Sequence, residues 1–548
     1  MSPIVAPTGA RERELAEFLE RFVAEMQPLE VERNQASWLA NTTGEARHEE
    51  ESARLDAAMR LVLARRDAFA LLSRLRDAGP LADPLLDREL VLLHDAHRAR
   101  QLPPEMIEGQ VQLEKTLESR FNQYRAQLDG RAVTDNELLD VLRSSADSDL
   151  RRRAWEASKQ IGREVERDLL TLVRLRNQGA RQLGFSNFYS MSLELDELDE
   201  RELFLLFDEL ERETTPLWQA YKSELDRQLA RRFGVAEEAL GPWHYADPFF
   251  QEAPPAEVSL DPFYDGRDLV ELTERYFAAI GFSIQDTVRR SDLFERPGKC
   301  QHAFCMSMDR GDDVRVLCNV RPTERWMGTL LHEYGHAVYD LHVDRSLPWN
   351  LRTPAHVLST EASAMLFGRL SRHPAWLREW AGADPAELDR HAESVARAVR
   401  RQLLVQTRWE MVMVHMERAL YHDPEQDLRA LWWELVERFQ WVRRPEGRHE
   451  PDWAAKIHFS VAPAYYHNYQ LGEMLASQLQ EHLVTRVLGG GADAWERYVR
   501  SPRVSEFLVR EFYAPGRRWN WRELTAHATG RSLESRPFVD ELAGRTPA

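Results

Sequence analysis

Apolar residues recur at three- and four-residue intervals over long stretches of this chain. Leu15, Phe18, Leu19 and Phe22 form one row, Leu203, Leu206 and Leu210 a second, and Leu403, Trp409, Val412 and Met416 a third. That spacing follows the 3.6-residue repeat and predicts amphipathic helices. Strand-like runs are rare. The clearest are residues 303–307 and 314–318, separated by Asp309-Arg310-Gly311-Asp312-Asp313, and they predict a hairpin. The expected fold is mainly α with a small antiparallel sheet. No Gly/Ser linker, low-complexity run or internal repeat divides the 548 residues. Residues 1–548 therefore read as one catalytic-size domain rather than a string of modules.

One stretch is apolar nearly all round. Trp326 to Leu331 lead into it, and Ala337, Val338 and Leu341 follow. A helix of that kind is expected to be buried, yet it contains His332-Glu333-Tyr334-Gly335-His336. Positions four apart share a helical face, so both imidazoles can grip one metal ion. Glu333 is then placed to act as a general base on a water activated there. Two exposed histidines would be the bland alternative, but buried imidazoles and a buried carboxylate need partners. One ion satisfies all three.

A catalytic zinc takes three protein ligands and keeps a fourth position open. Glu361 is the candidate for the third. Ser359 or Thr360 reads as the N-cap of a second helix with Glu361 in its first turn. The segment Pro348 to Pro354 would let the chain fold back between the two helices. By itself, Glu361 is equally a first-turn carboxylate facing the helix dipole. Farther on come Lys456, His458, Tyr465, Tyr466 and Tyr469. Tyrosine O–H and histidine N–H groups stabilise an oxyanion, and a lysine can hold a substrate carboxylate. A lone tyrosine is more often a core aromatic; the clustering points to chemistry.

With these residues in view, the chain resembles the angiotensin-converting-enzyme family of zinc peptidyl-dipeptidases, most closely its bacterial soluble members. The resemblance extends from Ala36–Thr43 through Ala154-Trp155-Glu156, Arg176-Asn177, the stretch from Cys300 to Glu361, Glu417–Tyr421 and Leu431–Val436 to the Lys456–Tyr469 block. It implies a helical ellipsoid whose two halves flank a long channel, with residues 295–365 and 450–475 carrying the active site. It implies one Zn2+ per chain on His332, His336 and Glu361, with Glu333 as base and proton shuttle. His458 and Tyr469 become oxyanion donors. His302 and Ala303 fall on the strand that pairs with substrate, and Lys456 and Tyr466 on the substrate's C-terminal carboxylate.

The departures from the family pattern are specific. The stretch Trp243 to Pro248 lacks the Gln of the family's carboxylate pocket. Met365 stands where the family has an Asp behind the zinc ligands, so other groups must support them. His467-Asn468 replaces an Arg linked to chloride activation, and one inserted residue makes Tyr465 a competitor of Tyr466.

Composition narrows the partners. A net charge of −18 argues against nucleic acid and anionic membrane. No run approaches a membrane-spanning length, and Met1 to Glu14 show no signal-peptide core, so a cytoplasmic location is expected, with no required protein partner. The three cysteines fit a reducing compartment. Cys300 and Cys318 stand at the spacing where secreted relatives carry a disulfide, and are expected here as thiols. A second metal site on His302, Cys305 and Cys318 is disfavoured by its loose spacing. The expected function is zinc-dependent hydrolysis of oligopeptides, releasing C-terminal dipeptides. The alternatives are an endo-acting oligopeptidase of the thimet and oligoendopeptidase F type, and a non-catalytic scaffold.

Overall fold

The computed structural model describes residues 9–254 and 258–545. The opening eight residues of the Met1–Glu14 segment therefore lie outside it. Helices take 69% of the chain, which leaves strands only two small hairpins and bears out the mainly α expectation. Among the described residues no helix is long and apolar enough to cross a membrane.

The chain opens on two long packed helices, α1 (Ala10–Thr43) and α2 (Ala46–Leu63). The first apolar row behaves as its spacing requires: Leu15, Leu19 and Phe22 are buried in a satellite core with Val62, Leu72 and Leu90. Glu12 folds back to accept from the Gly9 N–H at 3.0 Å, and Gly44 ends α1 at φ 70°. Gly44 also meets another segment. A Cβ there would stand 2.3 Å from the Gly298 carbonyl oxygen. The Cys300 N–H donates to Asn41 O at 2.8 Å, and Arg296 to Thr42 O at 2.7 Å. The end of α1 is thus fastened to the loop that feeds the central hairpin.

That hairpin pairs β3 (Phe304–Ser307) with β4 (Val314–Leu317), in the register Phe304↔Leu317 to Ser307↔Val314. Asp292 bridges Leu317 on the β4 side, so among the described residues β3 keeps an unpaired edge. A second hairpin, β1 (Ala126–Leu128) and β2 (Arg131–Val133), has only three residues per strand. Runs that short carry too little alternation to read in the sequence.

Three helices hold the candidate metal group and Tyr469, while Lys456, His458, Tyr465 and Tyr466 lie in the segment that leads into the third. The His-Glu helix spans Glu324–His342 and buries Leu330, Leu331, Ala337 and Val338 completely. Each buried leucine or valine contributes about 1.5–3 kcal/mol over leaving it in water. The Glu361 helix spans Val357–Gly368. Its cap corrects the sequence reading: His356 is the N-cap, its Nδ1 accepting from the Leu358 N–H at 3.1 Å, and Ser359 is the reciprocal partner through its hydroxyl. Glu361 therefore sits in the second turn, past the reach of the helix dipole's first turn. The tyrosine helix spans His467–His482.

These helices approach closely because two glycines allow it. A Cβ on Gly335 would stand 2.7 Å from Ala364 Cα, and one on Gly472 would stand 3.0 Å from Glu361 Cβ. Ser363 adds a polar fastening, donating to Gly335 O at 2.8 Å while sharing a 2.7 Å hydrogen bond with the Tyr513 hydroxyl. The main core extends over this region, from Leu117 to Leu542.

Candidate active site

The His-Glu helix places His332 and His336 one turn apart, with ring centroids 4.9 Å from each other. The Glu361 helix crosses beside them, and Glu361 Oε2 lies 3.8 Å from His332 Nε2. One ligand atom from each of the three lies within 4.8 Å of the other two. Tetrahedral zinc holds nitrogen and oxygen donors about 3.4 Å apart, so small side-chain rotations close this set on one ion. It is the one metal-competent group among the described residues. His302, Cys305 and Cys318 do not form a second, and the three cysteines are free thiols.

The donor chemistry also fits zinc. His336 Nδ1 is paired with Thr360 Oγ1 at 2.8 Å, which fixes the ring and leaves Nε2 for a metal. Burial holds His332 down to about 4 and His336 well below its ordinary range, so both rings are neutral, as ligands must be. Burial lifts Glu361 to about 7. Burial, then the nearby Glu361 charge, lift Glu333 to about 8, against an opposing N–H from Cys305. A cation among these groups opposes that burial effect and favours both carboxylates in their charged form.

A family model of angiotensin-converting enzyme matches residues 9–241, and one of peptidase family M3 matches residues 141–493, well over half of the chain. The chain belongs to peptidase family M3. It is also 22% identical over 454 residues to the inactive angiotensin-converting enzyme-related protein of Caenorhabditis elegans. That alignment covers 75% of this chain and 49% of the relative, so the chain spans about half the length of the curated relative it matches. Peptidases of both families are zinc-dependent in general. The resemblance to the angiotensin-converting-enzyme family is thereby supported, and the M3 match takes in every candidate metal and substrate residue of this site.

Around the candidate metal group, the remaining candidates divide into two sides. On the metal side, the Tyr465 hydroxyl donates to Glu361 Oε1 at 3.5 Å, and the Tyr465 ring meets Tyr469 edge-on at 5.1 Å. On the other side, the Tyr466 ring lies 5.0 Å from His458, its hydroxyl accepts from Trp409 Nε1 at 3.4 Å, and Lys456 Nζ is 5.9 Å from the ring. The inserted residue thus leaves Tyr466 beside Lys456 and sends Tyr465 to Glu361. Just ahead of them Ala464 adopts φ 54°, and its N–H donates to the buried Glu417 at 2.8 Å. His458 Nδ1 is buried without a protein partner, and burial, then Lys456, lower His458 to about 4. His302 is exposed, and with Ala303 it lies just ahead of β3 rather than within it.

Two residues escaped the sequence reading. Thr360, taken there as a possible cap, instead supports His336 and fills the role that Met365 cannot. Gln251 stands eight positions past Trp243, beyond the stretch that lacked a Gln, and its Oε1 accepts from Lys456 Nζ at 2.8 Å. A polar residue next to Phe249-Phe250 was the available signal, but only the fold connects it with Lys456.

Proposed function

We propose that this chain is a zinc metallopeptidase that trims dipeptides from the free C-termini of oligopeptides. The observation that carries the reading is the Lys456–Gln251 pair in an aromatic wall beside the metal group. Lys456 is 9% exposed, and its ammonium faces the rings of Phe249, Trp409 and Tyr466 at 5.1–5.9 Å. Among the described residues its ammonium has no carboxylate within ion-pair distance, the Asp247 and Glu252 charges acting on it from farther away, and its hydrogen-bond partner is a neutral amide. A buried ammonium satisfied only in part is suited to an incoming carboxylate.

His332, His336 and Glu361 would hold the metal. Bound zinc supplies Lewis-acid polarisation of the scissile carbonyl and lowers the pKa of water. Glu333 takes the proton from the attacking water and returns it to the leaving amine. His458 and Tyr469 donate to the developing oxyanion, while His302, Ala303 and the open edge of β3 align the peptide backbone. Tyr466 completes the carboxylate pocket with Lys456 and Gln251, and Tyr465 steadies Glu361. A channel between two helical halves belongs to this proposal, since it limits substrates to unfolded peptides. Three unpaired thiols fit a reducing, cytoplasmic setting.

The test is a blocked peptide with a free carboxylate beside its amidated twin. Preferential cleavage of the acid, two residues from its end, is expected. Equal rates would favour the endo-acting oligopeptidase, a reading to which the extent of the M3 match lends weight. The C. elegans relative carries "inactive" in its name. This chain has both imidazoles, Glu361 and Glu333 in place, which supports catalysis over a scaffold role.

A further inference from the structure

Beside the carboxylate pocket lies a buried acid that the mechanism leaves unused. Asp247 is 1% exposed. Its Oδ1 accepts the N–H groups of Phe249 at 2.8 Å and Gln251 at 3.2 Å, and its Oδ2 that of Glu252 at 2.9 Å. These bonds draw residues 247–252 into a tight turn in which Phe250 is forced to φ 51°. An L-residue keeps that conformation only where its surroundings hold it. Gln440 adds a grip from behind, donating to Phe249 O at 3.1 Å and Phe250 O at 2.7 Å.

The turn delivers two side chains. Gln251 reaches Lys456. Phe249 contacts two amines, with Lys159 Nζ 3.1 Å and Lys456 Nζ 5.3 Å from its ring centroid. Lys159 is 3% exposed. An aspartate capping a turn is ordinary local chemistry, but this one is fully buried, and the cost of burying it is offset by the three N–H groups that its own turn supplies. The residue it positions is the partner of the carboxylate-binding lysine.

We propose that Asp247 is a positioning residue for recognition of the substrate's terminal carboxylate. It shapes the 247–252 turn so that Gln251 holds the Lys456 ammonium beside Tyr466. This rests on the terminal-carboxylate reading given above. The test is steady-state kinetics on the acid peptide and its amidated twin, for the wild type, Asp247→Asn, Gln251→Ala and the double variant. Asp247→Asn should raise KM for the acid about tenfold, the size of one charge-assisted hydrogen bond. It should leave kcat within about twofold and the amidated twin unchanged. Gln251→Ala should raise KM for the acid by a similar factor, and the double variant should lose no more than Gln251→Ala alone. An unchanged KM, or an equal loss on both peptides, would overturn the inference. Equal cutting of both peptides by the wild type would instead overturn the carboxylate reading, before any variant is made. Asp247→Ser keeps one acceptor oxygen and serves if the amide variant does not fold; failure of both to fold would make Asp247 structural and end the proposal.

Discussion

His332, Glu333 and His336 come from a little more than one helical turn, whereas Lys456 and its partner Gln251 are 205 residues apart in the chain. The core of the metal side is therefore specified by helical periodicity, with Glu361 joining it from the next helix, and it is held by close helix packing at Gly335, against backbone, and at Gly472, against the Glu361 side chain. The carboxylate side is specified by tertiary packing. Its residues arrive from a turn, a long helix carrying Trp409 and the block before the tyrosine helix, and aromatic rings rather than backbone contacts space them. A site built this way separates two tasks. On the proposed function, chemistry would sit where a small displacement is most costly, and substrate choice where side chains can change without moving the proposed metal ligands.

Glu333→Gln bears most directly on that separation. It removes the proton acceptor and leaves the two imidazoles and Glu361 in place. Turnover of both the acid peptide and its amidated twin should fall by about a thousandfold, within the range assigned to a positioned general base. Metal analysis should still find one zinc per chain. Retained turnover would mean that another group takes the proton, and the metal side would lose its claim to the chemistry.

Gly335→Ala should have the next largest effect. Its Cβ would enter within 2.7 Å of Ala364 Cα and 3.0 Å of Ser363 O. Both are backbone atoms of the Glu361 helix, so no side chain can swing aside, and the two helices must part. Overpacking of this kind costs about 1–3 kcal/mol, readable as a lower urea midpoint. A shift of about 1 Å between His336 and Glu361 costs on the order of a hundredfold in rate. Both peptides should suffer equally. A loss confined to the acid peptide would contradict the division of labour.

What could be read from the sequence follows the same boundary. The mainly α fold, the hairpin to within one residue at its ends, and the grouping of His332, His336 and Glu361 all rest on local repeats and on buried groups needing partners. The cap at His356 was missed because Ser359 and Thr360 are stronger N-cap residues by type, and a histidine cap becomes visible only through its bond to the Leu358 N–H. Thr360 was thereby freed for His336. Gly335 was read only as a variable position in H-E-x-x-H, although a glycine in an otherwise apolar, buried helix is itself a sign of close approach. Gln251 was out of reach. Its direction depends on the Asp247 turn and on the unusual backbone of Phe250, and no periodicity encodes either.

The smallest effect, and the one that isolates the carboxylate side, is a pH dependence. Burial lowers Lys456 to about 8, and the charges of Asp247 and Glu252 limit the shift. The sign follows from the charged form. Below pH 8 the ammonium is present and attracts a carboxylate; above it the neutral amine does not. The ratio of kcat/KM for the acid peptide to that for its amidated twin should therefore be flat below about pH 7.5 and fall above 8, approaching tenfold per unit. Taking the ratio cancels any titration on the metal side, which acts on both peptides alike, and kcat/KM reports the free enzyme, before substrate raises the lysine's pKa. In Lys456→Met the ratio should start low and stay flat. A fall that persists in that variant would move carboxylate recognition to another cation, and Lys159, over the Phe249 ring at 3.1 Å, would be the first to examine.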